Sequence, residues 1–591
     1  VGGYEIERVF PVDPRTEART REAGLNLWYV VRFDKEYTVE EVVERLSQLG
    51  EVQYANPNRT IKRAYNPEKK AVPLTRERLS ALTRQTRAAA AEYGFNDALL
   101  PQQWHLVNRG TMFTGTEACG ETKSVVGADV QCEEAWKLST GDPSIIVAVL
   151  DEGVCLTHPD LQANIWTNED EVDGSREDND GNGYAGDVHG YNFVTDTGVI
   201  SWDDISDTGH GTHVAGVIAA QNDNGEGISS IAGGTSSQPG VKIMSCQIFS
   251  GDQTGDALVS SRAIKYAADH GASILQCSWG IKAGIYTSDN MFIKQSPMDY
   301  EALQYFAAQK NCEALDGGLI IFSAGNESTA MSGYPAGYRD YISVTSFSPD
   351  YLPANYTNYG SGCNIAAPGG ETSGLSGGEK AGVLSTLCSE TSNGADYGYM
   401  QGTSMACPHM SGVAALGLSY ALKQGKHYTR NEFISMLLTS VNDMERYLDG
   451  TKESNGTMYL ENYRKQLGTG AVDAYQLLMQ IEGTPCLKVG VGAEELVPLT
   501  QFFGGSATNL TYTGVSMSAA DMAKLGIETL PTMAYGKLKI KCTKSGVAKI
   551  TVTAIGGGDK VGTGTVMGGM TITKEFAIIA RGVQAGNGGW L

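Results

Sequence analysis

Short apolar runs alternate with amphipathic segments through the middle of the chain. Four runs have the apolar and β-branched residues that are typical of buried strands: SIIVAVL (144–150), KIMSCQI (242–248), SILQCS (273–278) and LIIFSAG (319–325). Two stretches between them have helical spacing of apolar residues: SSRAIKYAADHG (260–271) and YEALQYFAAQKN (300–311). This alternation predicts an α/β domain with a doubly wound, mostly parallel sheet and helices on both faces.

The first part of the chain has a different pattern. Residues 1–65 predict a compact α+β module that runs strand, helix, strand. LNLWYVVRF (25–33) is the first predicted strand, and the helix after it begins at a capping box made by Thr38 and Glu41. EVQYANP (51–57) is the second predicted strand.

Two further segments complete the predicted domain organisation. Residues 66–95 are rich in Arg, Lys and Ala without a balanced apolar face, which predicts a basic linker with a marginal helix. Residues 483–591 contain alternating segments separated by Gly, Ser and Asp turns: KLKIKC (537–542), AKITVTAI (548–555) and EFAIIAR (575–581). That alternation predicts a small β-sandwich, in which no residue indicates catalysis.

Three side chains with complementary chemistry stand at the ends of the predicted elements. Asp151 closes a buried run, His210 lies between glycines at the start of a small-residue helix, and Ser404 begins a long apolar helix. The N–H groups and the dipole at a helix N-terminus favour the negative charge that attack by a serine creates. A serine hydroxyl is a weak nucleophile at neutral pH, so it needs an adjacent base such as histidine, which a carboxylate can orient.

Four segments resemble the signature blocks of the subtilisin-like serine peptidases: VLDEGVCLTHPDL (149–161), GHGTHVAG (209–216), SAGNES (323–328) and GTSMACPHMSG (402–412). The resemblance implies that Asp151 orients His210, that His210 is general base and then general acid, and that Ser404 is the nucleophile. It also implies that Asn326 donates its side-chain N–H to the oxyanion. The resemblance further implies a catalytic domain over residues 96–482 that hydrolyses peptide bonds in protein or peptide substrates through an acyl-enzyme.

The same resemblance identifies a substrate cleft. CSWG (277–280) is similar to the strand that pairs with the substrate backbone. The implied walls of the primary specificity pocket are Ser278, Trp279 and Gly280 on one side, Ala324 and Gly325 on the other, and Gly333 at the base. Glycine leaves volume without charge, so we expect a preference for large apolar or aromatic residues before the scissile bond. Trp279 either narrows the next apolar subsite or belongs to the core.

A compact module before a subtilisin-like domain resembles the inhibitory propeptide of that family. This resemblance implies a folding chaperone whose C-terminal tail lies in the cleft, and VQYANPNRTIKRAY (52–65) is similar to such a tail. We expect autocleavage after Tyr65, with Arg63 as the second choice. The alternative is that residues 1–65 form a permanent accessory domain.

Two acidic regions are candidates for structural calcium. Asp178, Asp180 and Asn182 are spaced like the opening of a calcium loop, with Asp187 nearby, although the region departs from an EF-hand at its twelfth position. The alternative is an ordinary Asn/Asp/Gly loop. Asp160 and Asp223 match ligand positions of the family's high-affinity calcium site, and the spacing after Asp223 differs from that pattern.

Charge, hydropathy and cysteine content limit the function further. A net charge of −22 argues against a nucleic-acid partner. The sequence has no run of eighteen apolar residues, so it predicts no membrane-spanning helix. Eleven cysteines without C-x-x-C spacing argue against zinc, while Cys363 and Cys388 lie in loops where a disulfide is one option. The chain begins at Val1 without a signal-like segment, so we expect that one was removed and that the protein is secreted, periplasmic or at the cell surface.

These observations favour a secreted serine endopeptidase that is made as a self-processing zymogen. The alternative is a catalytically latent pseudoenzyme or binding scaffold with the same residues. A different serine hydrolase fits less well, because the chain order Asp, His, Ser differs from that of the α/β-hydrolases.

Overall fold

The computed structural model describes ten ranges of the chain: residues 4–63, 71–110, 124–204, 206–251, 255–372, 378–503, 510–556, 559–561, 565–567 and 570–582. Within these ranges an N-terminal module, a large α/β region and a C-terminal pair of sheets follow one another. No helix in the described ranges is long and apolar enough to cross a lipid bilayer.

The N-terminal module is built on the antiparallel strands β1 (Tyr4–Arg8) and β2 (Tyr29–Phe33), with helices α1 (Glu17–Glu22) and α2 (Val39–Ser47). The predicted capping box at the start of α2 is confirmed. The hydroxyl of Thr38 accepts from the Glu41 backbone N–H, and the Glu41 carboxylate accepts from the Thr38 N–H.

The predicted second strand of this module is wrong. Residues 51–57 form no strand, and the partner of β2 is β1, which precedes it in the chain. Pro57 has no backbone N–H for a ladder, and Tyr54 instead stacks on Trp28 with ring centroids 6.0 Å apart. Contacts across the module determine which strand pairs with β2. The local sequence pattern of residues 51–57 carries no information about those contacts.

The segment after the module contains β3 (Lys62–Arg63), β4 (Val72–Pro73) and helix α3 (Arg76–Ala90). The helix is 15 residues long, so this stretch is more regular than the predicted linker. Leu79 and Leu82 of α3 pack against the main core, and Leu74 is fully buried in it. That anchoring gives a marginal helix the tertiary contacts that stabilise it.

The α/β region is organised around a nine-stranded sheet. The strands of the region are, in chain order, β5 (Ile146–Asp151), β6 (Gly190–Asn192), β7 (Gly234–Thr235), β8 (Gln238–Pro239), β9 (Lys242–Gln247), β10 (Ile274–Cys277), β11 (Trp279–Gly280), β12 (Leu315–Asp316), β13 (Leu319–Ser323), β14 (Ile342–Phe347), β15 (Ile365–Pro368), β16 (Val383–Thr386), β17 (Tyr397–Met400), β18 (Tyr428–Thr429), β19 (Val441–Asn442), β20 (Thr451–Glu453), β21 (Thr457–Tyr459) and β22 (Ala471–Val472). The large sheet has the order β19, β22, β15, β14, β13, β10, β5, β9, β6. Its neighbours are parallel except β19 and β22, which confirms the predicted mostly parallel sheet.

Helices cover both faces of this sheet. The helices of the region are α4 (Cys132–Ala135), α5 (His210–Ala219), α6 (Ala257–Asp269), α7 (Asp289–Gln295), α8 (Pro297–Ala307), α9 (Thr403–Lys423), α10 (Arg430–Thr439) and α11 (Ala474–Glu482). Along β5, Val147 and Val149 belong to the core cluster that contains residues of α5 and α9. Ala148 and Leu150 belong to the cluster that contains residues of α6 and α8. The alternation places one hydrophobic core on each side of the sheet.

Smaller sheets attach the N-terminal segments to this region. Strand β3 pairs antiparallel with β11, and β4 pairs with β17, which also pairs with β16. The remaining short pairs are β7 with β8, β12 with β18 and β20 with β21. Two separate strands from before residue 74 therefore extend sheets of the α/β region.

The C-terminal part has two main sheets around one core. Its strands are β23 (Cys486–Val491), β24 (Glu494–Pro498), β25 (Leu510–Ser516), β26 (Thr532–Ala534), β27 (Lys537–Lys541), β28 (Gly546–Gly556), β29 (Asp559–Val561), β30 (Thr565–Met567) and β31 (Met570–Gly582), with helix α12 (Ala519–Leu525). The sheets have the orders β23, β31, β28, β25 and β24, β27, β26, and β29 pairs with β30. Both main sheets contribute to one cluster, for example through Val489, Leu538 and Phe576.

The disulfide that the sequence left open is not formed. Cys363 and Cys388 are both free thiols, as are the other eight cysteines in the described ranges. The Cys388 thiol instead lies near Cys155 and donates to the Trp202 carbonyl at 3.3 Å.

Candidate active site

Asp151 and His210 are in direct contact at the carboxyl end of β5. Asp151 Oδ1 lies 2.7 Å from His210 Nδ1, and the two side chains are 1% and 0% exposed. The same oxygen accepts from the Glu152 backbone N–H at 2.7 Å, which fixes the carboxylate. A carboxylate at Nδ1 keeps a proton on that nitrogen and leaves Nε2 as the basic nitrogen of the ring.

Glycine is needed on each side of His210, for a different physical reason at each position. Gly209 has a φ of +74°, a left-handed conformation that precedes the first turn of α5. A Cβ on Gly211 would lie 2.2 Å from the Glu152 carbonyl oxygen. The Gly-His-Gly sequence therefore lets α5 begin directly against the end of β5.

Ser404 lies in the first turn of α9 beside Asn326, which follows β13. Asn326 Oδ1 accepts from the Thr403 N–H at 2.9 Å and from the Thr403 hydroxyl at 2.8 Å. Because two donors meet the amide oxygen, the amide nitrogen faces Gly402. A Cβ built on Gly402 would be 3.5 Å from both Asn326 Nδ2 and the Ser404 backbone nitrogen. Two nitrogen donors thus border one small space, an arrangement suited to an oxyanion.

Buried polar groups at the end of β10 hold the first turns of α9 in place. The Ser278 hydroxyl donates to the Ser404 carbonyl at 2.8 Å, and Gln276 Nε2 donates to the Ser278 hydroxyl at 2.8 Å. Gln276 Oε1 accepts from the Ser411 hydroxyl at 2.5 Å. Burial raises the pKa of the Cys407 thiol to about 12, and the Asp151 charge adds to that rise. The Ser278 and Gln276 contacts therefore tie the first turns of α9 to the end of β10, the strand next to β5.

The predicted walls of the specificity pocket come together. The Gly333 N–H donates to the Ala324 carbonyl at 2.9 Å, and the Ile281 N–H donates to the Tyr334 carbonyl at 2.7 Å. A Cβ on Gly280 would lie 3.1 Å from the Tyr334 carbonyl oxygen. The three predicted segments therefore surround one region next to the end of β13.

Two details of this pocket were not evident from the sequence. A Cβ on Gly325 would lie 2.4 Å from Asn358 Nδ2 and 2.5 Å from Glu327 Oε2, so these side chains lie directly against its backbone. Trp279 is 1% exposed and its ring packs edge-on against Phe322 at 5.2 Å. This burial favours the core role for Trp279 among the two that the sequence left open.

The strand before the predicted cleavage site pairs with the segment that was predicted to bind the substrate backbone. Arg63 of β3 is opposite Trp279, and Lys62 is opposite Gly280. The Arg63 side chain contacts the Glu152 carboxylate and donates to the Gly251 carbonyl at 3.1 Å. Tyr65, the first choice for cleavage, lies outside the described residues.

The first acidic region forms a cluster with one member that the sequence analysis missed. Glu171, Asp180 and Asp187 offer carboxylate oxygens within 4.8 Å of one another. Asn182 Nδ2 donates to Asp180 at 3.2 Å and to Asp187 at 3.0 Å. Asp178 is directed elsewhere, because its carboxylate accepts from three backbone N–H groups of its own loop. The carboxylates that come together are therefore Glu171, Asp180 and Asp187, and the predicted ligand Asp178 is not among them.

The second acidic region is closed by protein donors. The Asp160 carboxylate accepts from the Asn224 amide at 2.8 Å, from the Ile228 N–H at 3.0 Å and from the Tyr397 hydroxyl at 3.0 Å. Burial raises the pKa of Asp160 to about 7. Asp223 Oδ1 accepts from the Asn96 N–H at 3.2 Å.

The α/β region matches a known family. Residues 142–461 match the model of the subtilase family, which is more than half of the 591-residue chain. The chain therefore belongs to the subtilase family. This membership confirms the resemblance that the four sequence segments indicate.

Named relatives align with about half to two thirds of the chain. Halolysin from Haloferax mediterranei is 33% identical over 290 residues, which cover 49% of this chain and 44% of halolysin. A thermophilic serine proteinase from Bacillus sp. is 27% identical over 389 residues, 66% of this chain and 76% of the relative. The chain thus spans less than half the length of halolysin.

A solved structure aligns over a longer stretch. The crystal structure of fervidolysin from Fervidobacterium pennivorans, a keratinolytic enzyme related to subtilisin, covers 98% of this chain and 76% of its own. The TM-score is 0.48 and the sequence identity is 20%.

Proposed function

We propose that the chain is a serine endopeptidase that hydrolyses peptide bonds through an acyl-enzyme. The observation that carries this proposal is the buried contact of Asp151 with His210, on the same sheet edge as Ser404 and Asn326. Subtilase membership and the printed name of the Bacillus relative, a serine proteinase, support it.

Each side chain has a defined chemical task in this proposal. His210 Nε2 takes the proton of the Ser404 hydroxyl as the hydroxyl attacks the scissile carbonyl, and later gives it to the leaving amine. Asp151 holds the ring and stabilises the imidazolium that forms. The Asn326 amide and the Ser404 backbone N–H donate to the developing oxyanion. Water then enters and releases the acyl group by the same steps in reverse.

The residue before the scissile bond enters the pocket between Gly280, Ala324 and Gly333. Gly280, Ala324 and Gly333 bring no charged or polar side chain to this pocket, which supports the preference for large apolar or aromatic side chains. Gly325 contributes the remaining backbone of this wall, with Ser278 and Trp279 continuing the opposite one.

Residues 1–65 act as an inhibitory propeptide in this proposal, so the chain is a zymogen. Three contacts support it: the Ile61 N–H donates to the Gly255 carbonyl at 2.9 Å, Arg59 Nη1 donates to the Tyr286 hydroxyl at 2.9 Å, and Arg63 pairs with Trp279. From Lys62 to Arg63 the chain runs along β11 toward Ser278, whose hydroxyl contacts Ser404. This direction supports a cut beyond Arg63, at Tyr65.

Residues 483–591 are an accessory β-sandwich, and the mature enzyme acts after secretion.

A latent scaffold with an intact triad is the alternative function. A serine-reactive probe, applied after removal of residues 1–65, distinguishes the two. The enzyme is expected to take up one probe per chain at Ser404, identified by peptide mapping, and to hydrolyse a quenched peptide. A scaffold would take up no probe at Ser404 and release no fluorescence, and that pair of results would contradict the proposed activity.

We also propose that the cluster of Glu171, Asp180 and Asp187 holds a structural calcium ion, with Asn182 beside it. Glu171 Oε2 is buried and has no hydrogen-bond partner among the described residues. Burial, together with the charges of Asp187 and Asp180, raises the pKa of Glu171. A divalent cation would compensate these like charges with the oxygen ligands that calcium prefers. Arg15 of the N-terminal module already supplies one positive charge, 3.0 Å from Asp180.

Calcium is therefore expected to stabilise the folded chain. In a Ser404→Ala background, which prevents self-digestion, millimolar calcium is expected to raise the melting temperature by about 3 °C or more. Glu171→Gln should remove most of this shift because it deletes a buried ligand charge, whereas Glu169→Gln, an exposed neighbour, should retain it. Differential scanning fluorimetry measures both. An equal shift in the two variants would contradict the site.

A further inference from the structure

Arg63 lies in a pocket beside Asp151. Its guanidinium contacts the Glu152 carboxylate, donates to the Gly251 carbonyl at 3.1 Å and lies 5.6 Å from the centre of the Phe249 ring. The backbone of Arg63 is held by pairing with Trp279. A side chain and its backbone are therefore bound together, as they are when a peptide strand is added to a sheet edge.

The pocket is lined by two buried carboxylates. Glu152 is 1% exposed, and its carboxylate accepts from the Thr208 N–H at 3.1 Å and from the His210 N–H at 2.9 Å. Asp207 is 7% exposed, and its Oδ1 accepts from the Gly251 N–H at 2.6 Å. Asp207 Oδ2 is buried without a hydrogen-bond partner among the described residues.

A buried carboxylate oxygen without a partner is costly, and a cation removes much of that cost. Burial raises the pKa of Asp207, while the charge of Arg63 acts in the opposite direction. Glu152 and Asp207 thus present negative charge to one side chain, and Gly251 adds a carbonyl acceptor. An apolar side chain at the same position would keep both carboxylates desolvated without a compensating cation.

We propose that this pocket is a substrate subsite that selects arginine or lysine at the position opposite Trp279. The proposed subsite rests on the proposed peptidase function. It also requires that substrates pair with β11 in the way that residues 62–63 do. The planar guanidinium suits a carboxylate and a carbonyl at once, so arginine binds better than lysine. This selection acts at a different position from the apolar specificity pocket, and both operate on one substrate.

The test uses quenched peptides with the chain's own sequence, residues 58–69, and as enzyme the purified full chain after it has split near residue 65 and residues 1–65 have been removed. An Arg63→Met peptide is expected to have a kcat/KM at least about tenfold below the native peptide. The matched control is a Lys62→Met peptide, with the same loss of charge at an exposed neighbour, and should stay within about twofold. Mass spectrometry locates the cut in each peptide.

Enzyme variants assign the effect to the pocket. The quantity compared is the ratio of kcat/KM for the native peptide to kcat/KM for the Arg63→Met peptide. Asp207→Asn is expected to shrink this ratio by about fivefold or more, and Asp204→Asn, an exposed acid on the same loop, should keep it. Because the ratio is measured on one preparation, a variant with less active protein still reports it. Equal cleavage of all peptides overturns the subsite alone. Absence of cleavage of every peptide overturns the peptidase function on which the subsite depends.

Discussion

Ser404→Ala is expected to leave the purified chain at its full mass while the wild type splits near residue 65. The substitution removes the nucleophile, and triads of this kind lose about 10⁶-fold in kcat when the serine is removed. The fragments of the wild type should be the N-terminal module and the remainder, because the chain enters the cleft at Lys62 and Arg63. Intact-mass spectrometry over time measures both chains under the same conditions.

Ser419→Ala is the matched control for this experiment. Ser419 lies on the same helix, is buried, and donates to the Ala415 carbonyl at 2.8 Å. We expect this variant to split as the wild type does. Splitting of Ser404→Ala at the wild-type rate would show that another protease makes the cut. A wild-type chain that stays whole would contradict self-processing and leave residues 1–65 as a permanent domain.

The large sheet could be predicted because the continuous apolar sequence of its strands already indicates that they are buried. The run that ends in Asp151 is apolar at each position before it, since both faces of β5 are covered by helices. The pairing of β2 could not be predicted in the same way. Its partner β1 alternates Tyr4 and Ile6 with glutamates but is exposed at four of five positions, so the pairing is determined by contacts across the module.

The acidic loop illustrates a limit of spacing arguments about ligands. The positions of Asp178, Asp180 and Asn182 fit a calcium loop equally well, but backbone N–H groups of the loop compete for the same oxygens. Asp178 is taken by its own turn, while Glu171 reaches the cluster from an earlier segment. Spacing identifies the chemistry of such a loop, and only its folded path decides which carboxylates converge.

The N-terminal residues meet the acidic α/β region through arginines. Three of them contact carboxylates there: Arg15 with Asp180, Arg19 with Asp269, and Arg63 with Glu152. In a chain with a net charge of −22, these arginines place positive charge against acidic side chains. Exposed ion pairs of this kind contribute little stability individually. Of these three contacts, the one made by Arg63 has the most deeply buried carboxylate. It could not be predicted from the sequence, because an acid next to Asp151 looks like an ordinary polar residue until Arg63 is brought beside it.

Asn326→Ala is expected to lower kcat by about 10²- to 10³-fold with little change in KM, because the oxyanion donor acts mainly in the transition state. The orientation of Asn326 depends on Thr403, whose N–H and hydroxyl both donate to Oδ1. Thr403→Val removes one of these donors and keeps the shape of the side chain. We therefore expect Thr403→Val to lower kcat by about tenfold, a smaller loss than that of Asn326→Ala. Steady-state hydrolysis of one quenched peptide measures all variants.

Thr403→Ser provides the rescue, since it restores the hydroxyl, and its kcat should stay within about threefold of the wild type. The hydroxyl also accepts from the Gly325 N–H at 3.2 Å, so KM reports any distortion of the adjacent pocket wall. A fall in kcat at constant KM would assign Thr403 to positioning of Asn326. A loss of kcat in Thr403→Ser without a loss in Thr403→Val would show that packing of the methyl group, and not the hydroxyl, holds the amide in place.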